Sequence, residues 1–178
     1  MLKKKLLTLA CAAGVLACGA CFLPPAPYRP PPGLDLHGVQ RIRVEAENVS
    51  ESHHLGPSGV ASAVATSINW LAGETRVAAS SQNEAGVAQS VLHVSVLSES
   101  MLPYRSGEKR LSFQIKISAT LTKPNGTLAW RETGAVYSTT YHGPSESTAD
   151  AWEDPNVQRW VNAEVGSKLA NSIFYRHR

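Results

Sequence analysis

The sequence predicts an α+β domain in which two helices pack on one face of a mixed, mostly antiparallel sheet of four to five strands. Several segments alternate apolar and polar side chains, which is the pattern of a strand with one buried face. Two other segments repeat apolar residues at helical spacing. The order along the chain is strand, helix, strand, a three-strand meander and a final helix, so both helices can cover the same side of the sheet.

Alternation and helical spacing assign the strands and the helix in the first half of the domain. Residues 39–46 and 91–97 alternate as strands, and residues 75–79 form a short strand between them. The helix between 39–46 and 75–79 is expected to stop near Gly73, since glycine often follows a helix C-terminus. It is marked by four apolar residues at helical spacing: Val60, Val64, Ile68 and Leu71.

The second half contains the clearest strand of the chain, residues 111–122, in which six apolar residues alternate with six polar ones. Asn125-Gly126 then predicts a hairpin with a primed turn, because both residues tolerate positive φ. The returning strand is residues 128–141, with a bulge expected at Gly134. The predicted core-facing residues of the sheet are Ile42, Val44, Leu92, Val94, Val96, Phe113, Ile115 and Ile117.

A long terminal helix follows. Asp154 is a good N-cap and Pro155 suits the first helical position, so the pair marks a helix start. One apolar stripe continues through the helix: Val157, Trp160, Val161, Val165, Leu169 and Ile173. The sheet face opposite the helices is then rich in Ser, Thr, Lys, Arg and Gln, and is expected to be exposed to solvent.

The N-terminus has the pattern of a secretory signal, residues 1–17. A basic head of three lysines precedes an uncharged apolar run that is too short to span a bilayer. Residues 15–18, Val-Leu-Ala-Cys, resemble a bacterial lipobox. We therefore expect lipidation at Cys18, with Cys21 as the alternative acceptor and an ordinary cleaved signal as the alternative to both.

Gly19 after Cys18 is not the residue that retains lipoproteins in the inner membrane, so the expected location is the periplasmic face of the outer membrane. The lipidated cysteine and the proline-rich residues after it, 18–33, predict an extended tether. A proline-rich peptide ligand is the alternative reading of that segment. Residues 34–178 remain for a single periplasmic domain.

Composition excludes some classes of function. The chain has 17 Lys and Arg against 14 Asp and Glu, and three of the lysines lie in the signal, so the mature protein is close to neutral. No nucleic-acid partner is expected on this charge. The histidines are scattered, and no nucleophile elbow or glycine-rich phosphate loop is present. We therefore expect a non-enzyme without metal or cofactor, and an envelope hydrolase is the weaker alternative.

Strand alternation places Arg41, Arg43 and Lys116 on the solvent-exposed face of the sheet. Guanidinium and ammonium groups bind phosphate, so these three residues are a candidate site for a phosphorylated glycolipid such as lipopolysaccharide. A surface that is merely solvated by its charges is the alternative interpretation.

The sequence also resembles the lipopolysaccharide-assembly lipoproteins (LptE-like) over roughly residues 18–142. The matching pieces, in order, are Cys18-Gly19, the strand 38–44, Asn48-Val49-Ser50, the helix 60–71, and the turn 125–130 with its Leu-x-Trp. The resemblance implies a non-catalytic plug in an outer-membrane translocon barrel, with that barrel, lipopolysaccharide and membrane lipid as partners. A periplasmic lipoprotein that activates or scaffolds another envelope machine is the alternative.

Overall fold

A computed structural model describes residues 29–102, 110–142 and 151–175. The predicted signal peptide, the lipidation site Cys18 and most of the tether lie outside these residues. The described elements, in chain order, are β1 (Arg41–Asn48), α1 (Pro57–Thr75), β2 (Ala78–Ser80), β3 (Ser90–Met101), β4 (Leu111–Thr122), β5 (Leu128–Tyr141) and α2 (Pro155–Phe174).

The five strands form one sheet in the order β2-β1-β3-β4-β5. β1 is parallel to both β2 and β3, whereas β3, β4 and β5 form an antiparallel meander. The two antiparallel ladders are the long ones, so the prediction of a mixed α+β fold with two helices and a sheet of up to five strands is confirmed.

One face of the sheet is buried in the hydrophobic core. All eight sheet residues predicted to face the helices are at most 1% exposed. They pack with the apolar stripes of both helices in one cluster, to which α2 contributes Val157, Val161, Val165, Leu169 and Ile173. Burying an aliphatic side chain of this size stabilises a fold by about 1.5–3 kcal/mol, so the alternation fixes the strand register.

The helices touch each other through small residues. Gly166 of α2 lies against the backbone of Ala63 in α1, where an added Cβ would come within 2.7 Å of the Ala63 carbonyl carbon and oxygen. α2 begins as predicted. The Asp154 side chain accepts a hydrogen bond from the backbone N–H of Asn156 at 2.8 Å, and Pro155 lies in the first turn of the helix.

Two element ends differ from the prediction. α1 continues through Gly73 to Thr75 and ends at Arg76, whose left-handed φ of 59° lets its N–H bond to the Ala72 carbonyl at 2.9 Å. A helix interior tolerates a single glycine at a cost of about 1 kcal/mol, so Gly73 did not end the helix. The short strand β2 consequently starts at Ala78 rather than at Thr75.

The hairpin between β4 and β5 is present, but its turn is not a primed one. The Lys123 N–H bonds to the Thr127 carbonyl at 2.8 Å and closes a three-residue loop. Within that loop only Gly126 has a positive φ, 83°, which is the arrangement of a type I turn followed by a left-handed glycine. The predicted bulge at Gly134 is confirmed, with φ of 65° and a register shift against β4.

β3 is longer than predicted and changes phase. The pairing with β4 shifts between Val96 and Ser98, so Leu97 is a bulge. Beyond it, residues with odd numbers face the core side, and Glu99 lies there opposite Ile115. The alternation of the sequence up to Leu97 gave no sign of this reversal.

Candidate functional site

The candidate site is the side of the sheet away from the helices, which we call the open face. Its side chains are half-buried or exposed and are mostly polar. They come from β1 (Arg41, Arg43, Glu45, Glu47), from β3 (Val91, His93, Ser95) and from β4 (Ser112, Gln114, Lys116, Ser118, Thr120, Thr122).

The predicted arginines lie together at one end of the open face, and each has a carboxylate partner. A guanidinium nitrogen of Arg43 lies 2.7 Å from Glu45 Oε1, and Arg41 pairs with Glu84 in the segment before β3. The Arg41 side chain is 51% exposed and that of Arg43 is 28% exposed. An anionic ligand at this end would therefore have to compete with, or rearrange, two carboxylates.

Lys116 lies at the other end of the open face. Arg43 is in register with Val91 of β3, whereas Lys116 is in register with Ser98, seven positions further along the same strand. At about 3.3 Å per residue, that offset is roughly 20 Å along the strands. The structure thus brings Arg41 and Arg43 together but not Lys116, which extends beside Gly134 instead. The ligand-binding role of the three cations stays a prediction.

A polar cluster joins the end of β1 to the first half of β3. Glu47 Oε1 accepts a hydrogen bond from Ser95 Oγ at 2.7 Å and lies 3.2 Å from His93 Nε2. These hydrogen bonds, that of Ser95 first, lower the pKa of the Glu47 carboxyl below its ordinary value. His93 faces the polar side of the sheet, as its place in the strand alternation predicted.

A second surface lies on the opposite side of the molecule, along the outside of the helix pair. Trp70 is 84% exposed there, at the boundary of two adjoining depressions of about 540 and 440 Å³. We call this surface the helix groove. Small residues of α1 and α2 line it: Gly59, Ser62, Ala63, Thr66, Ser67 and Ala163.

Sequence reasoning did not single out Trp70, although a signal was available. Trp70 follows the buried Ile68 by two residues, and two helical residues are separated by about 200° around the axis. A large aromatic side chain opposite the buried stripe is therefore directed to solvent by the same period that predicted the helix.

Two further observations concern the described part of the chain. No three His, Cys, Asp or Glu side chains gather closely enough to hold a metal ion among these residues. None of the described helices is both long and apolar enough to cross a membrane.

No family model and no curated protein matches this chain. Several solved structures resemble it, and they include bacterial lipoproteins. One is a minor lipoprotein of Acinetobacter baumannii, with 10% identity, coverage of 75% of this chain and 90% of that chain, and a TM-score of 0.44.

The PelC dodecamer of Paraburkholderia phytofirmans is 17% identical, with coverage of 84% and 96% and a TM-score of 0.47. The rare lipoprotein B of Shewanella oneidensis is 12% identical, with coverage of 74% and 92% and a TM-score of 0.36. Likenesses of this strength do not bear on partners or activity.

Proposed function

We propose that this protein is a lipid-anchored component of the outer membrane that binds other envelope molecules and catalyses no reaction. Its role is that of the LptE-like family it resembles, which is to occupy the lumen of a translocon barrel and assist lipopolysaccharide assembly. The observation that carries the proposal is the open face. A row of mostly hydroxyl and amide side chains on β4 alternates with a buried core-facing row, so among the described residues one side of the sheet is polar.

A polar sheet surface suits this role for a physical reason. The lumen of an outer-membrane barrel is lined by polar side chains, because lipid-facing and lumen-facing residues alternate along each barrel strand. A plug therefore needs a polar exterior on the side that meets the wall. The ion-paired arginines and Lys116 add charged groups that can meet the wall or the phosphates of a glycolipid.

Site-specific photocrosslinking in living cells tests the proposal. A crosslinking amino acid at Gln114 reports on the open face, and the same amino acid at Trp70 reports on the opposite side as a matched control. The proposal expects an adduct with a large outer-membrane barrel from Gln114. No barrel adduct from the open face, or turnover of an envelope substrate by the purified protein, would contradict it.

The helix groove favours the second candidate function, that of activating or scaffolding another envelope machine. An exposed Trp beside a lined depression is the kind of residue that dominates protein interfaces. In the same experiment, a peptidoglycan synthase or other enzyme captured from Trp70, with no barrel from Gln114, would identify this alternative.

The anchor is tested separately. Mass spectrometry of the mature N-terminus should find the acyl chains on Cys18. Cys18→Ser should release the protein from the membrane, because it removes these chains. Each buried methylene group contributes about 0.8 kcal/mol, so several acyl chains together anchor a protein firmly. Cys11→Ser is the control and should change nothing. An unmodified terminus beyond Cys21 would rule out the lipoprotein reading.

A further inference from the structure

The two edges of the sheet differ in how their backbone is protected. At one edge, β2 has only three residues, and Asn69 of α1 covers it. The Asn69 amide donates to the Ala79 carbonyl at 2.8 Å and accepts from the Ala79 N–H at 2.7 Å. The backbone N–H and carbonyl of Ala79 on this edge are therefore already bonded.

At the other edge, the first half of β5 is protected by irregularities. The Ala129 carbonyl accepts a hydrogen bond from Asp35 N–H at 3.0 Å, Gly134 forms a bulge, and Glu132 places a charge on the core-facing side of the edge. Bulges and inward charges are the devices by which natural sheets keep other strands from adding to an edge.

The second half of β5, Ala135–Tyr141, has none of these devices. It pairs with β4 without interruption, from Ala135 opposite Ile117 to Tyr141 opposite Leu111. Its sequence, AVYSTTY, contains no charge, no proline and no glycine, and is rich in residues that favour strands. Within the described part of the chain, no hydrogen bond reaches its outer edge.

Helix α2 adds a charged ridge beside that edge. Thr139 Oγ1 lies 3.4 Å from Glu164 Oε2, and the rings of Tyr141 and Trp160 meet at 5.5 Å. Lys168 is one turn beyond Glu164 and on the same side of the helix. The helix runs opposite to the strand, so Glu164 and Lys168 lie on either side of the level of Ser138.

We propose that two copies of this chain associate by antiparallel pairing of their Ala135–Tyr141 segments, which joins the two sheets into one of ten strands. A twofold axis at Ser138 places Val136 opposite Thr140 of the second copy and brings no like charges together in the strands. The same axis places Glu164 opposite Lys168 of the second copy, twice, so unlike charges meet on the helix ridges. This charge complementarity identifies the occupant of the edge as a second copy.

The strand pairing is separate from the open face, which carries the proposed function. The pairing uses the backbone at the side of the sheet, so the open face stays accessible, whereas Glu164 on the helix ridge also lines the smaller depression of the helix groove. Failure of the dimer experiments below would therefore leave the barrel-binding proposal unaffected.

Cysteine crosslinking locates the interface on the full chain extracted in detergent. With Ser138→Cys, oxidation should join two copies through the introduced thiols, as read by mass spectrometry of the linked peptides. Gln114→Cys is the matched control, because it lies on the same face of the neighbouring strand opposite Ser138. The two control thiols would be about 14 Å apart across the axis, three strand spacings, and should not join.

Charge changes then test the geometry by sedimentation. Ser138→Lys puts two like charges at the axis and should raise the dissociation constant of the dimer about tenfold or more, whereas Gln114→Lys should change it less than about twofold. Glu164→Lys and Lys168→Glu should each weaken the dimer by about three- to tenfold, and the double variant should restore it. Mixing the two single variants should also restore association, because unlike charges then meet across the axis while the pair within each helix stays disrupted; a purely structural role of either residue would not produce that second rescue.

Three results would overturn the proposal: a chain that stays monomeric at all concentrations, a dimer linked through another surface, or capture of a different protein's strand by the β5 edge. The last of these would show the edge to be a site for strand addition by another partner rather than by a second copy.

Discussion

Glu99 holds the segment between β1 and α1 in place with both of its carboxylate oxygens. Oε1 accepts from Asn48 Nδ2 and from the Leu55 N–H, each at 2.8 Å, and Oε2 accepts from the His54 N–H at 2.7 Å. Asn48 in turn accepts from the Ser50 N–H at 3.0 Å. Two backbone N–H groups of this segment, those of His54 and Leu55, are thus bonded to one acid that the bulge at Leu97 turns toward them.

We expect Glu99→Ala to lower the free energy of unfolding by about 2–4 kcal/mol, because hydrogen bonds to a charged acceptor are strong and their donors would be left part-buried without a partner. Urea denaturation followed by circular dichroism measures the change. Glu51→Ala, at an exposed position in the same segment, is the control and should stay within about 0.5 kcal/mol of the parent. Equal losses for the two variants would contradict the role of Glu99.

Glu47 titrates differently from an ordinary glutamate because Ser95 and His93 hydrogen-bond to its charged form. A lowered folded-state pKa contributes stability that is present above the unfolded pKa and is lost as the pH falls through the folded one. Since Ser95 is the larger cause, Ser95→Ala should move the Glu47 pKa back toward its ordinary value more than His93→Ala does. Carboxyl ¹³C NMR titration measures both, and the reverse order would refute the assignment.

At the scale of the elements, alternation and helical spacing were enough to predict the strands and both helices. The start of α2 was predictable because a cap residue and proline stand side by side at Asp154-Pro155. The phase reversal after Leu97 was not, since a bulge is set by pairing with β4, a strand that is distant in sequence. The turn type was mistaken because Asn125-Gly126 also suits a three-residue loop in which Gly126 alone is left-handed.

The contact between α1 and α2 depends on Gly166. Gly166→Ala should destabilise the protein by about 1–3 kcal/mol, although alanine favours a helix, because the added methyl group would overlap the Ala63 backbone and push the helices apart. Gly73→Ala is the matched control, since no atom lies within 4 Å of an added Cβ there.

The control Gly73→Ala should stabilise α1 by about 0.5–1 kcal/mol. Thermal denaturation of both variants compares Gly73 with Gly166 directly. If Gly166→Ala were as stable as Gly73→Ala, the close packing of the helices would not be what the glycine provides.

At the scale of the whole molecule, the two outward surfaces have different chemistry. The open face carries hydroxyl groups and charges of both signs, whereas the helix groove has small residues around Trp70, with Arg159 and Glu164 in its walls. The sequence predicted the polarity of the open face but not its charge balance. Arg41 and Glu84 are 43 residues apart, and only the fold brings them together.

The distribution of cations on the open face leads to a last prediction. Replacing Arg41, Arg43 and Lys116 together by Ser should leave the melting temperature nearly unchanged, because exposed ion pairs contribute little. The change also removes the Arg43 Nε, a buried donor with no partner in the described structure. Lipopolysaccharide binding should nevertheless weaken, and most strongly at low salt, since screening already reduces the contribution of surface charges at high salt.

The distance between Lys116 and the two arginines on the open face leads to a further expectation. Because Lys116 lies roughly 20 Å from the arginines along the strands, the losses in Arg41→Ser/Arg43→Ser and in Lys116→Ser should add independently. Arg159→Ser, an exposed cation beside the helix groove, is the control and should bind like the parent. Calorimetric titration at two salt concentrations measures the four variants and the parent. If the triple variant binds lipopolysaccharide as well as the parent at low salt, the three cations do not form its site and serve only to solvate the sheet.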